Sequence, residues 1–163
     1  MIFMSQSGLT DPSRAGEWAQ WYVEHLRIMR TVDGIDSAER FVTDAHEWPP
    51  SLAMYTLRSA AVFDDPHYQK IRGMGSWLPL IDRRYYRRNL FSGASHAPQV
   101  PPGYVLLVTD RATPDSDMPG IGWTWLASVG LDQSTPWRGI AVEKQEVAQA
   151  LPARVDFAVY RRC

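Results

Sequence analysis

The sequence predicts an α+β fold whose first 95 residues run in the order β-α-β-β-α-β. Three observations carry that prediction. Two Asp-Pro pairs, Asp11-Pro12 and Asp65-Pro66, each set an N-cap and a first-turn proline ahead of an apolar pattern with helical spacing. Three segments, Ile2 to Ser7, Ser37 to Thr43 and Ser51 to Ser59, alternate apolar and polar residues as half-buried strands do. A fourth alternating segment, Arg83 to Phe91, follows a Gly- and Pro-containing loop. This order is the ferredoxin-like, or split βαβ, arrangement, in which two helices cover one face of a four-stranded antiparallel sheet.

Each element has a local cause. Gly8 closes the opening strand. From Ala15 the positions Ala15, Trp18, Ala19, Tyr22, Leu26 and Met29 form the stripe of an amphipathic helix that Asp33-Gly34 ends. The link from Asp44 to Pro50 is short enough to join the second and third strands as an antiparallel hairpin. Asp65-Pro66 opens a two-turn helix through Tyr68 and Ile71, and Gly73 is placed to stop it.

Beyond a Pro-rich connector at 96–102, strands are predicted over Tyr104 to Thr109, Trp137 to Glu143 and Ala153 to Tyr160. Met118 to Leu131 is read as a short helix despite Gly120, Gly122 and Gly130. Residues 103–163 then look like a truncated β-α-β-β repeat, packing on the 1–95 unit within one compact domain. The open face of the first sheet needs a cover, and either this half or a partner subunit is expected to supply it.

Composition narrows the function classes. A chain of 163 residues with 45% hydrophobic and 21% charged residues is an ordinary globular domain. A net charge of −1 gives no electrostatic pull toward nucleic acid or anionic lipid. The only cysteine is Cys163, so no intrachain disulfide forms. No apolar run reaches membrane-spanning length, and the N-terminus lacks the charged-then-apolar pattern of a signal peptide, so a cytoplasmic protein is expected. The arginine-rich fourth strand raises an RNA-binding alternative, but the Lys/Arg-Gly-aromatic signature of that class is missing.

The run Glu17-Trp18-Ala19-Gln20-Trp21-Tyr22-Val23-Glu24-His25, with Val32 to Ile35 and Ala38 to Phe41, is similar to the first half of dimeric α+β barrel proteins, most of all their EthD-like members. The similarity continues through Leu52 to Leu57, Asp65 to Tyr68 and Arg83 to Arg87. It implies a homodimer, a small organic and often aromatic ligand, and in some members cofactor-free oxygenase, cyclase or isomerase chemistry. It also gives a functional reading to the His at position 25.

On a helical wheel His25 lies between Trp18 and Trp21 and beside Tyr22, at the edge of the buried stripe, where partial desolvation would suit an acid or base. Tyr55 and Tyr86 are the expected orienting or oxyanion-stabilising hydroxyls, and Trp18, Trp21, Tyr22, Trp77 and Arg84 the expected substrate-binding residues. The competing reading makes His25 structural, the aromatics core, and the arginines edge-strand charge. The four histidines share no ligand spacing and no nucleotide loop is present, so neither metal nor cofactor is expected. Two functions remain: a small acid–base enzyme on an aromatic or enolisable substrate, and a non-catalytic binding or assembly module.

Overall fold

The computed structural model describes residues 1–115, 120–151 and 156–163. Eight strands are present: β1 (Ile2–Ser7), β2 (Ile35–Val42), β3 (Ser51–Leu57), β4 (Arg87–Ser92), β5 (Tyr104–Arg111), β6 (Thr124–Leu131), β7 (Trp137–Lys144) and β8 (Phe157–Arg162). They pair antiparallel throughout and close into a barrel in the order β1-β3-β2-β8-β5-β7-β6-β4.

Closure corrects the expected fold class. The protein is a closed eight-stranded antiparallel β-barrel with one long helix, not an α+β ferredoxin-like unit with an appended half-repeat. The physical reason lies in the edges. The first half orders its strands β4-β1-β3-β2 and the second β8-β5-β7-β6, so each half alone would expose two unpaired edges. Pairing β2 with β8 and β4 with β6 removes all four. The sheet therefore closes within one chain, and the homodimer implied by the resemblance would have to form on another surface.

The second half is also not a truncated β-α-β-β repeat. The helix expected between Met118 and Leu131 is replaced by β6, with residues 116–119 outside the described set. A short helix, α3 (Gln145–Ala150), follows β7 instead. Of the strand expected from Ala153 to Tyr160, residues 153–155 lie outside the described set, and the described part is β8.

Alternation sorts the side chains of the strands to two faces. Inward, Ile2, Met4, Phe41, Leu52, Phe91, Leu106 and their neighbours from both halves fill the lumen, so the barrel is a packed core and not a pore. Outward, Phe3, Ala53, Tyr55 and Leu90 form a second apolar surface. Two helices cover it: α1 (Ala15–Met29), through Trp18, Tyr22 and Met29, and α2 (Pro66–Ile71), through Tyr68. The Asp-Pro starts act as their spacing implies. Asp11 accepts from Ser13 N–H ahead of a short 3-10 turn that leads into α1, and Asp65 accepts from Tyr68 N–H.

Gly139 of β7 makes room for the indoles of and just ahead of β6. It stands opposite Trp125 in the β6–β7 register, and a Cβ there would lie 2.7 Å from Thr109 Cγ2 and 3.0 Å from the rings of Trp123 and Trp125. The indoles fill the space that glycine leaves, an arrangement known to stabilise strand glycines. Gly139→Ala should therefore destabilise the fold by about 1–3 kcal/mol. Urea unfolding is the check: a midpoint equal to that of the parent chain would show that the indoles move aside freely.

Candidate functional site

The first site candidate lies outside the barrel wall, between it and the helices. α1 presents Tyr22, His25 and Met29, and the wall presents Phe3, Ser5, Tyr55 and Arg88. Tyr86, just ahead of β4, Tyr68 and Arg72 around α2, and Met74 complete a narrow cavity of about 40 Å³. The 15-residue span of α1 places Tyr22, His25 and Met29 on one helical face at i, i+3 and i+7, which is why they reach the same cleft.

His25 is held by its neighbours' rings. Its imidazole stacks on Trp21 at 4.5 Å between centroids with planes 12° apart, and meets Tyr22 edge-on at 5.9 Å. It makes no hydrogen bond among the described residues. Burial lowers its pKa to about 4, so the ring is neutral at pH 7.

The tyrosines surrounding it are protonated donors. Burial raises the pKa of Tyr22, Tyr55 and Tyr68, and the tyrosine group is close enough to interact electrostatically, with Tyr86 acting on all three. Tyr22 Oη contacts Ser7 Oγ at 3.4 Å and Met74 Sδ at 3.9 Å. The hydroxyls of Tyr55, Tyr68 and Tyr86 have no hydrogen-bond partner among the described residues. Tyr55 is fixed instead by stacking on Phe3 at 5.1 Å.

Arg88 adds a cation. Its Nε is buried without a hydrogen-bond partner, its guanidinium lies 5.7 Å from the centre of the Tyr86 ring, and its contact with Asp132 is loose at 3.7 Å. A buried N–H with no acceptor costs free energy of about 1–3 kcal/mol unless a ligand atom or water meets it. The cavity thus offers one neutral acceptor, three unengaged hydroxyls and a cationic N–H.

The structure gathers His25, Tyr55, Tyr86 and Tyr22 into this cavity and separates the other expected residues from it. Trp21 backs His25 from behind. Trp18 is buried beneath the Arg40 guanidinium, 4.9 Å from its ring centre. Trp77 is buried in the 3-10 segment Gly75–Leu80 with Arg14 over its ring. Arg84 sits in the turn before β4, held by Asp82 at 2.6 Å, and lines a different, open cleft near Asp110. Eight residues that line the cavity are outside the expected set, among them the polar or polarisable Tyr68, Arg72, Met74 and Arg88. Tyr68 carried a usable signal, since it lies on the buried face of the second predicted helix, and Arg88 shares a predicted strand face with Tyr86.

Among the described residues, no three His, Cys, Asp or Glu side chains converge as a metal site, and no helix is long and apolar enough to cross a membrane. Comparisons with protein-family models, curated proteins and solved structures give no significant match to this chain. The similarity to dimeric α+β barrel proteins, EthD-like members included, is therefore withdrawn: no family supports it, and the strands close into a single-chain barrel.

Proposed function

We propose that this protein binds a small organic ligand in the cleft between its helices and the barrel wall, and acts on it by acid–base chemistry with His25 as proton acceptor. One observation carries the reading: the His25 imidazole and the Tyr55, Tyr68 and Tyr86 hydroxyls line one cavity, and none of them makes a hydrogen bond among the described residues. A few convergent polar groups in a cavity otherwise lined by apolar and aromatic side chains are suited to a ligand.

The chemistry follows from charge. A neutral imidazole takes a proton from an acidic C–H or O–H of the ligand, and the electron pair left behind becomes an oxyanion. Tyr55 and Tyr86 donate O–H hydrogen bonds to that oxygen, and Arg88 Nε–H supplies a cationic donor. His25 is a weak base before the ligand binds; the oxyanion beside it raises the ring's affinity for the proton it has taken. A cavity of about 40 Å³ holds roughly three water-sized groups, which favours small enolisable carbonyl compounds over extended aromatic ones. We place this activity in the cytoplasm, in keeping with a single cysteine and no disulfide.

The small cavity also favours a second reading, in which the same cleft binds a small polar ligand without turning it over. Deuterium uptake at the α-carbon of small ketones and keto acids, followed by proton NMR, separates the two. The parent chain should accelerate exchange of at least one probe, with His25→Gln reducing the acceleration by about 10²-fold or more and Tyr86→Phe by less. Thermal stabilisation by a probe with no accelerated exchange would leave the binding reading alone. Neither stabilisation nor exchange with any probe would remove the cleft from consideration.

A further inference from the structure

A second, larger recess lies on the other side of Tyr22. It runs between α1 and β2, is floored by Ala19, Val23, Leu26 and Ala38, and has a volume of about 430 Å³. That is within the size range of small-molecule sites, roughly 300–1,000 Å³. Val23 leaves 73% of its surface exposed.

Arg40 forms the inner end of this groove. The residue is only 7% exposed, and its guanidinium is packed 4.5 Å from the ring centre of Tyr22 and 4.9 Å from that of Trp18. Its Nε donates to Ser51 Oγ at 2.9 Å, which fixes the orientation of the fork. Its two terminal nitrogens make no hydrogen bond, and no carboxylate pairs with it, among the described residues. The Cys163 thiol and the Tyr22 hydroxyl act on it electrostatically, and burial raises the pKa of both, which keeps them protonated at pH 7. Arg162 is paired with Glu39 at 3.0 Å and Arg27 with Glu24 at 2.5 Å, while Arg30, like Arg40, has no ion-pair partner among the described residues.

We infer that this groove binds an organic monocarboxylate with an unbranched apolar chain. The carboxylate would take both terminal N–H groups of Arg40 in the bidentate geometry that guanidinium favours, and the chain would lie on Val23, Leu26 and Ala38 toward the open lip. The Arg40 guanidinium, oriented by Ser51 and the two rings and with its terminal N–H groups uncommitted, is preorganised for an anion. The apolar floor selects against small hydrophilic anions. The site is separate from the His25 cleft and does not depend on the reading given there.

Calorimetric titration with decanoate, and with 1-decanol as the uncharged comparison, tests the inference on the intact chain. The parent protein should bind one decanoate, with decanol at least tenfold weaker. Arg40→Met should weaken decanoate by at least tenfold. Val23→Glu, an exposed change that leaves the core alone, should weaken it by repulsion even if Arg40→Met folds poorly. His25→Gln should leave it unchanged. Cys163, the only cysteine, lines the same groove, so bound decanoate should also slow its alkylation by iodoacetamide. Any of these results would overturn the inference: no saturable binding below about 1 mM, equal affinity for decanol, or decanoate binding that survives both Arg40→Met and Val23→Glu. Loss of binding in His25→Gln with Arg40→Met unaffected would assign the ligand to the other cleft, and would equally overturn it.

Discussion

Replacing Arg138 with alanine is expected to destabilise the barrel by about 3–5 kcal/mol, the largest loss for any single charged residue of the chain. Arg138 stands on β7 with 1% of its side chain exposed. Inside the barrel it donates to two strands and packs on a ring of a third. Nε and Nη2 hold the Asp110 carboxylate of β5 at 2.7 and 2.9 Å, and Nη2 also donates to Gln6 Oε1 of β1 at 2.8 Å. Nη1 reaches Met4 Sδ at 3.5 Å, and the guanidinium lies 5.2 Å from the centre of the Phe91 ring on β4. Removal would leave the buried Gln6 amide without its donor, Asp110 without its counter-ion, and a cavity against Met4 and Phe91. Because Asp110 keeps 34% of its side chain in water, Asp110→Asn should cost distinctly less than Arg138→Ala. Urea-unfolding midpoints of the two variants and their double mutant give the coupling; a loss under 1 kcal/mol for Arg138→Ala would mean the lumen rearranges around the gap.

The second large effect is a loss of stability between pH 6.5 and pH 4 that disappears in His25→Phe. The His25 pKa falls from its ordinary 6.5 to about 4 on folding because burial disfavours the imidazolium. Between those values the unfolded chain binds a proton that the folded chain does not, so stability falls as pH falls through this window and is flat in this respect above it. The full span corresponds to about 3 kcal/mol at most. Below pH 4 a different group takes over. The Asp82 carboxyl is held below its ordinary range by side-chain and backbone hydrogen bonds from Arg84, so that contact is lost only at lower pH. Thermal melts of the parent chain and of His25→Phe at half-unit pH steps should therefore diverge near pH 7 and run parallel below pH 4. Parallel curves throughout would show that the ring is solvated in solution.

Local chemistry was legible in the sequence and closure was not. Gly8, Asp11-Pro12, Asp65-Pro66 and Gly73 mark boundaries through backbone geometry and capping, which act over a few residues, and the strands over Ile2–Ser7 and Ser51–Leu57 follow. The helical spacing of Tyr22 and His25, with the strand alternation that puts Tyr55 on the helix-facing side of the wall, likewise located part of the cleft. Arg84 was misplaced because alternation was extended over Arg83 to Phe91. Asp82 instead bonds both the N–H and the guanidinium of Arg84, which makes that stretch a turn and starts β4 at Arg87. β6 forms where a helix is expected because Gly120 and Gly122 fall ahead of the strand, its own Gly130 packs against Leu90 of β4, and Trp125 fits over Gly139 of β7, tertiary effects with no local trace. The pairing of Phe41 with Arg162 spans the length of the chain and leaves no periodic signal at either end.

That last pairing has a mechanical consequence. The two junctions between the halves are unequal. β4 meets β6 over four register pairs, whereas β2 meets β8 over two, Phe41–Arg162 and Val42–Arg161, supplemented by Thr43 Oγ1 donating to Val159 and by the Arg162–Glu39 pair. A cylinder yields first along its thinnest weld. Loosening the β2–β8 weld frees one rim from each half while β4–β6 still holds them, so the molecule opens like a book whose spine is the longer junction. Two open books facing each other can join rim to rim: β2 of each chain pairs with β8 of the other while both β4–β6 spines stay intact, giving a symmetric dimer.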